Sequence, residues 1–139
     1  MVSLEQLPHP DFLPYPSHYT SAFFQSKEDA EKAIAELESL GFNDDEFNVF
    51  EGESGVQAVD IDGDHHNVIE KYMRKFIKMS DSAEWRFLSE ADYELKNGHL
   101  LVCVPTLSDQ KKQEVISAFK KADAYDIRYF TPLYVEEIE

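Results

Sequence analysis

The sequence predicts an α+β chain: a ferredoxin-like sandwich of two β-α-β units forming a four-stranded antiparallel sheet, with a two-helix insert between the units. Three observations predict it. A strand–helix–strand pattern occupies residues 18–50, the same pattern returns at 99–131, and the stretch 65–96 between them carries helical apolar spacing. At 139 residues the chain has one-domain length and enough material for a core.

Residues 1–17 hold four of the six prolines, at Pro8, Pro10, Pro14 and Pro16. Proline at that density favours an extended arm over a helix, with Phe12, Leu13 and Tyr15 able to dock on the body. The first unit opens with the aromatic, β-prone Tyr19–Phe24. Ser26 and Asp29 then stand as a capping box, and Ala30, Ala33, Ile34, Leu37 and Leu40 follow at helical spacing. Gly41 stops that run, and Phe47, Val49 and Phe50 mark the second strand.

The second unit opens with the continuous apolar run Leu100–Val104, closed by Pro105, as a central strand would be. Ser108 caps a helix bearing Val115, Ile116, Phe119 and Ala122. Tyr125, Ile127 and Tyr129 alternate with Asp126 and Arg128, which predicts a half-buried strand. The two units superpose without a gap: Ser26 on Ser108, Ala33 on Val115, Ile34 on Ile116, Leu37 on Phe119, Phe47 on Tyr129. The expected core is Ala33, Ile34, Leu37, Leu101, Val102, Val115, Ile116 and Phe119, and residues 136–139 read as an acidic tail.

In the insert, Val68, Ile69, Tyr72, Met73, Phe76 and Ile77 form a wide apolar stripe. A second helix begins near Ser82, presents Trp85, Leu88, Ala91 and Leu95, and ends at Asn97-Gly98. Leu100, Val102 and Val104 point one way and Leu101 and Cys103 the other, so that strand needs cover on both faces. The insert helix bearing Val68 to Ile77 and a second subunit are the two candidate covers, and Tyr72, Phe76 and Trp85 are expected to be largely buried in either case.

The run Phe23-Phe24-Gln25-Ser26-Lys27-Glu28-Asp29-Ala30, continued by Leu37 and Gly41-Phe42, resembles the opening of the general-stress or heat-induced stress protein domain family. The passage Tyr93 to Val104, with Gly98 before Leu100-Leu101-Val102, is similar to a later passage of the same family. The resemblance covers roughly residues 19–130 and implies a stress-associated protein with no assigned activity. It supplies no catalytic, cofactor or metal residues.

Candidate chemistry is sparse. Asp60, Asp62 and Asp64 alternate before His65 and His66, a spacing that suggests the oxygen ligands of a calcium loop. Counted from Asp60, however, His65 stands where an EF-hand needs glycine and Lys71 where it needs glutamate. A turn followed by a helix N-cap explains the same residues. His65 and His66 are adjacent, so they point apart. His9, His18 and His99 have no carboxylate at a helpful local spacing. Cys103 sits inside an apolar strand, where a buried thiol is inert. Neither a phosphate-cradling glycine loop nor a nucleophile elbow occurs in the sequence. No cofactor, metal or catalytic residue is therefore expected.

The expected function is a stress-associated interaction or regulatory module acting through a protein partner or self-association, including a homodimer. The alternative is a small-molecule-binding or enzymatic dimeric α+β barrel. The single cysteine and the absence of a basic, apolar leader or a membrane-length run suggest a cytoplasmic chain. Net charge is −15, from 28 acidic against 13 basic side chains. Lys111, Lys112, Lys120 and Lys121 form the nearest thing to a basic patch, on a helix whose other side is apolar. Such a field repels phosphate backbones and anionic lipid. Titration with duplex DNA at physiological salt should accordingly give no submicromolar complex; one that forms would contradict the charge argument.

Overall fold

The computed structural model describes residues 3–14, 17–64, 67 and 82–139. Among the described residues, nine α-helices and β-strands follow in the order β1 (Tyr19–Phe24), α1 (Lys27–Ser39), β2 (Asn48–Phe50), α2 (Gly52–Val59), α3 (Ala83–Lys96), β3 (Leu100–Pro105), α4 (Asp109–Lys121), β4 (Tyr125–Phe130) and β5 (Val135–Glu137). The architecture is α+β. Its sheet has five strands rather than four, in the order β2-β3-β1-β4-β5, and every neighbouring pair is antiparallel. The fifth strand comes from the C-terminal segment expected to be an acidic tail. It joins because Tyr134 and Thr131 close a tight turn after β4, with the Thr131 N–H donating to the Tyr134 carbonyl at 2.9 Å.

The caps act as their residue types dictate. Ser26, Ser82 and Ser108 each accept a backbone N–H three residues on, at 3.2, 3.2 and 3.1 Å, starting α1, α3 and α4. Gly41 ends α1 with φ of +96°, a conformation in which a side chain would be strained.

Alternation along the inner strands divides the interior into two clusters. On one face Ala22, Phe24, Val49, Leu100, Val102, Val104 and Ile127 meet α1 and α4. On the other, Tyr19, Phe23, Phe50, Leu101, Cys103 and Phe130 meet Ala58 and Val59 of α2 and Phe87, Leu88, Ala91 and Leu95 of α3. All eight expected core residues are buried. The second face is thus covered from within the chain by α2 and α3. The stripe from Val68 to Ile77, with Tyr72 and Phe76, lies outside the described residues. Trp85 is half-buried, and Phe87, 3 % exposed, fills the position expected of it.

Helix α2 has no counterpart in the sequence prediction, because two glycines in Gly52-Glu53-Ser54-Gly55 look like a loop. Packing explains Gly55: a Cβ there would lie 3.1 Å from the Phe50 backbone carbon and 3.2 Å from Leu95 Cδ2. Glycine lets α2 approach both β2 and α3.

The N-terminal arm is docked. Leu4 and Leu7 are buried in the first cluster, and Leu4–Gln6 make one 3-10 turn. Leu37→Ala removes a fully buried side chain of α1 and should cost about 2 to 5 kcal/mol of stability. Denaturant unfolding measures it, and an unchanged midpoint would show that this helix does not line the core.

Candidate functional site

Two polar constellations stand out among the described residues: a seam between α3 and β4, and a groove where α1 and α2 begin.

The seam is created by a bulge. Ser21 on β1 faces Arg128, while Phe23, two residues on, faces Tyr125, three residues back, so β4 carries one extra residue. Asp126 absorbs it with φ of +51°. The simple alternation expected for β4 therefore breaks. Arg128 was expected to face outward, and instead it lies 4 % exposed on the second face, the same side as Tyr125.

A buried guanidinium needs a partner. Glu90 on α3 supplies it, accepting from Arg128 Nη2 at 2.5 Å, while the Phe87 ring lies 5.4 Å from the guanidinium carbon. Arg128 Nη1 and the Ser21 hydroxyl, neighbours in register, are both buried without a hydrogen-bond partner. One turn further along α3, Glu94 accepts from the Tyr125 hydroxyl at 2.9 Å and pairs closely with His99 Nδ1. Tyr125 Oη lies 2.9 Å from the same His99 nitrogen, closing a triangle. The consistent assignment places a proton on His99 Nδ1, donating to Glu94, while the phenol donates to the same carboxylate. Burial, reinforced by the Glu94 hydrogen bond, pushes the Tyr125 phenol well above its ordinary range, so it stays a donor. The seam ties α3 onto the sheet through three side chains no short motif could reveal. Only Glu90 and Glu94, one helical turn apart, share a visible spacing.

The groove has a volume of about 450 Å³ and is lined by His9, Ser26, Lys27, Glu51, Ser54 and Leu100, among others. Lys27 Nζ lies 3.2 Å from Glu5 and 3.7 Å from Glu51. Glu5 is held down to about 2, first by the Ser3 hydroxyl and then by its backbone and Lys27. Glu51 Oε2 is buried and unpaired.

The residues singled out from the sequence are dispersed. Asp60 is the left-handed C-cap of α2, donating its N–H to Val56, while Asp62 and Asp64 are exposed on the turn that follows. His65 and His66 lie outside the described residues. Among the described residues no three His, Cys, Asp or Glu side chains converge as metal ligands. Cys103 is fully buried, and burial pushes its thiol far up. His9 reaches the Leu4 carbonyl at 2.8 Å and His18 the Tyr129 hydroxyl at 2.8 Å. The lysines of α4 are engaged within the chain: Lys111 with Glu46, Lys112 with Glu136, Lys121 with Glu36, and Lys120 with the Glu139 carbonyl. Among the described residues no helix is long and apolar enough to cross a membrane.

No protein-family model, curated protein or solved structure matches this chain.

Asp126 yields a signed pH prediction. Although Asp126 is exposed, partial desolvation and the nearby Glu90, opposed in part by Arg128, raise its carboxyl above the usual value, with Glu94 and Glu137 adding to the rise. A raised acid favours the fold when protonated, and that contribution is lost as pH rises through the folded value. Asp126→Asn, which keeps the left-handed preference, should therefore raise the urea midpoint at pH 7. The gain should shrink towards zero below about pH 4, the ordinary aspartate range. A lower midpoint at pH 7 would show that the ionised carboxylate is a net asset to the seam.

Proposed function

We propose that this chain is an interaction or regulatory domain, without catalysis of its own, built as a ferredoxin-like sandwich with one added edge strand. The observation that carries this reading is the filled second face. Phe23, Phe50, Leu101, Cys103 and Phe130 are covered by α2 and α3, which occupy the space a barrel-type ligand chamber would need. The order β2-β3-β1-β4, with α1 and α4 packed on one face, supports the sandwich assignment. The stress association rests on the resemblance of residues 19–130 alone.

Contact with a protein partner is best served at the end of the sheet where β1 begins. Leu107, Leu133 and Tyr134 are 77 %, 92 % and 57 % exposed in the loops leaving β3 and β4. Tyr19 faces both Pro105 and Phe130, which places those loops at the same end. Exposed apolar side chains gathered this way mark contact surfaces in soluble domains.

Cross-linking of the full chain in cells before and after heat stress tests the reading. The expected result is a stress-dependent protein complex that is rebuilt from purified components and lost with Leu133→Glu at unchanged stability. A small molecule that raises the melting temperature and is chemically converted by the purified chain would overturn it.

A further inference from the structure

The N-terminal arm wraps an edge of the sheet. Leu4 and Leu7, 1 % and 3 % exposed, sit in the cluster beneath α1 and α4. Leu13 packs against the opposite cluster and donates its N–H to the Ala58 carbonyl of α2 at 3.4 Å. Between these anchors the arm passes β2, the outermost strand on that side among the described residues, and the Val49 N–H donates to the Pro8 carbonyl at 3.0 Å. Glu5 adds an ion pair to Lys27 at 3.2 Å.

The residue on the edge is a proline. It accepts the Val49 N–H but has no N–H of its own, so it satisfies the edge without offering a new one. The opposite edge, equally short, is blunted differently: β5 carries Glu136 and Glu137 within the strand. Edge β2 has no charge within Phe47-Asn48-Val49-Phe50, and Phe47, Val49 and Phe50 are all buried. Without the arm it would be an apolar strand edge with a free donor, a template for pairing.

We infer that the arm is a displaceable strap guarding the β2 edge, and that the uncovered edge pairs antiparallel with the same edge of a second copy of this chain. A two-fold axis at Val49 lets the two Val49 residues exchange N–H and carbonyl, since neither group serves β3 once Val49 N–H points outward. The two five-stranded sheets then join as one. The identical edge matches itself in length and apolar character, which a charged foreign strand would not. With −15 on each copy, repulsion opposes the pairing, so added salt strengthens it.

Leu4→Asp with Leu7→Asp in the full chain releases the strap. Sedimentation and hydrogen exchange of the Val49 amide are read at low and high protein concentration, at two salt levels. The expected result at low concentration is a monomer whose Val49 amide exchanges on the order of tenfold faster or more than in the parent, with β1 and β3 still protected. At high concentration the mass doubles and Val49 is protected again, more so at higher salt. A monomer at every concentration overturns the proposal, as does a doubled mass that leaves Val49 unprotected. Where the double variant unfolds, Leu7→Ala is read in the same way. Loss of protection throughout the sheet in that milder variant also overturns it, because the arm is then core and not a strap.

Discussion

The structure depends on a strand with no wet side. All six residues of β1 are buried, and it pairs with β3 on one flank and β4 on the other. Phe24 and Ala22 face one cluster, Phe23 and Tyr19 the other. Burying each large apolar side chain contributes about 1.5–3 kcal/mol, so leaving either face open would forfeit several such terms. Helices α1 and α4 close one side and α2 and α3 the other. The capping serines and Gly55 serve that double closure.

The same constraint explains where charge is allowed inside. Arg128 reaches the second face because the bulge at Asp126 turns it there, and it is tolerated because Glu90 on the covering helix meets it. Breaking such a pair from one side leaves a buried charge uncompensated, which is far costlier than the pair is stabilising. Glu94, His99 and Tyr125 extend the contact by one helical turn. The seam thus couples the position of α3 to the register of β4, and on the proposed reading it is a fastening that holds the cover in place.

Most of the first face was legible in the sequence, because α1 and α4 carry serine caps and regular stripes and β3 is a continuous apolar run. Helix α2 was hidden by Gly55, whose missing side chain is a packing requirement and looks like a breaker. The inward turn of Arg128 was hidden by the bulge: a period-two pattern carries no mark of an inserted residue. Strand β5 was hidden by its glutamates, which protect an edge as well as they solvate a tail. The seam was illegible for a different reason. His99 and Tyr125 are 26 residues apart and meet only after β3 and β4 flank β1.

The central claim is that the second sheet face is closed by the chain's own helices. Leu95→Asp tests it most directly, since Leu95 is 2 % exposed in the second-face cluster and packs on Gly55 of α2, where an added Cβ would lie 3.2 Å from its Cδ2. An unpaired carboxylate cannot be accommodated there without large cost. The account predicts loss of cooperative urea unfolding and of near-ultraviolet circular dichroism in this variant at every protein concentration. A folded variant with the parent's midpoint would mean that α3 does not seal that face, and the two-sided core would be contradicted.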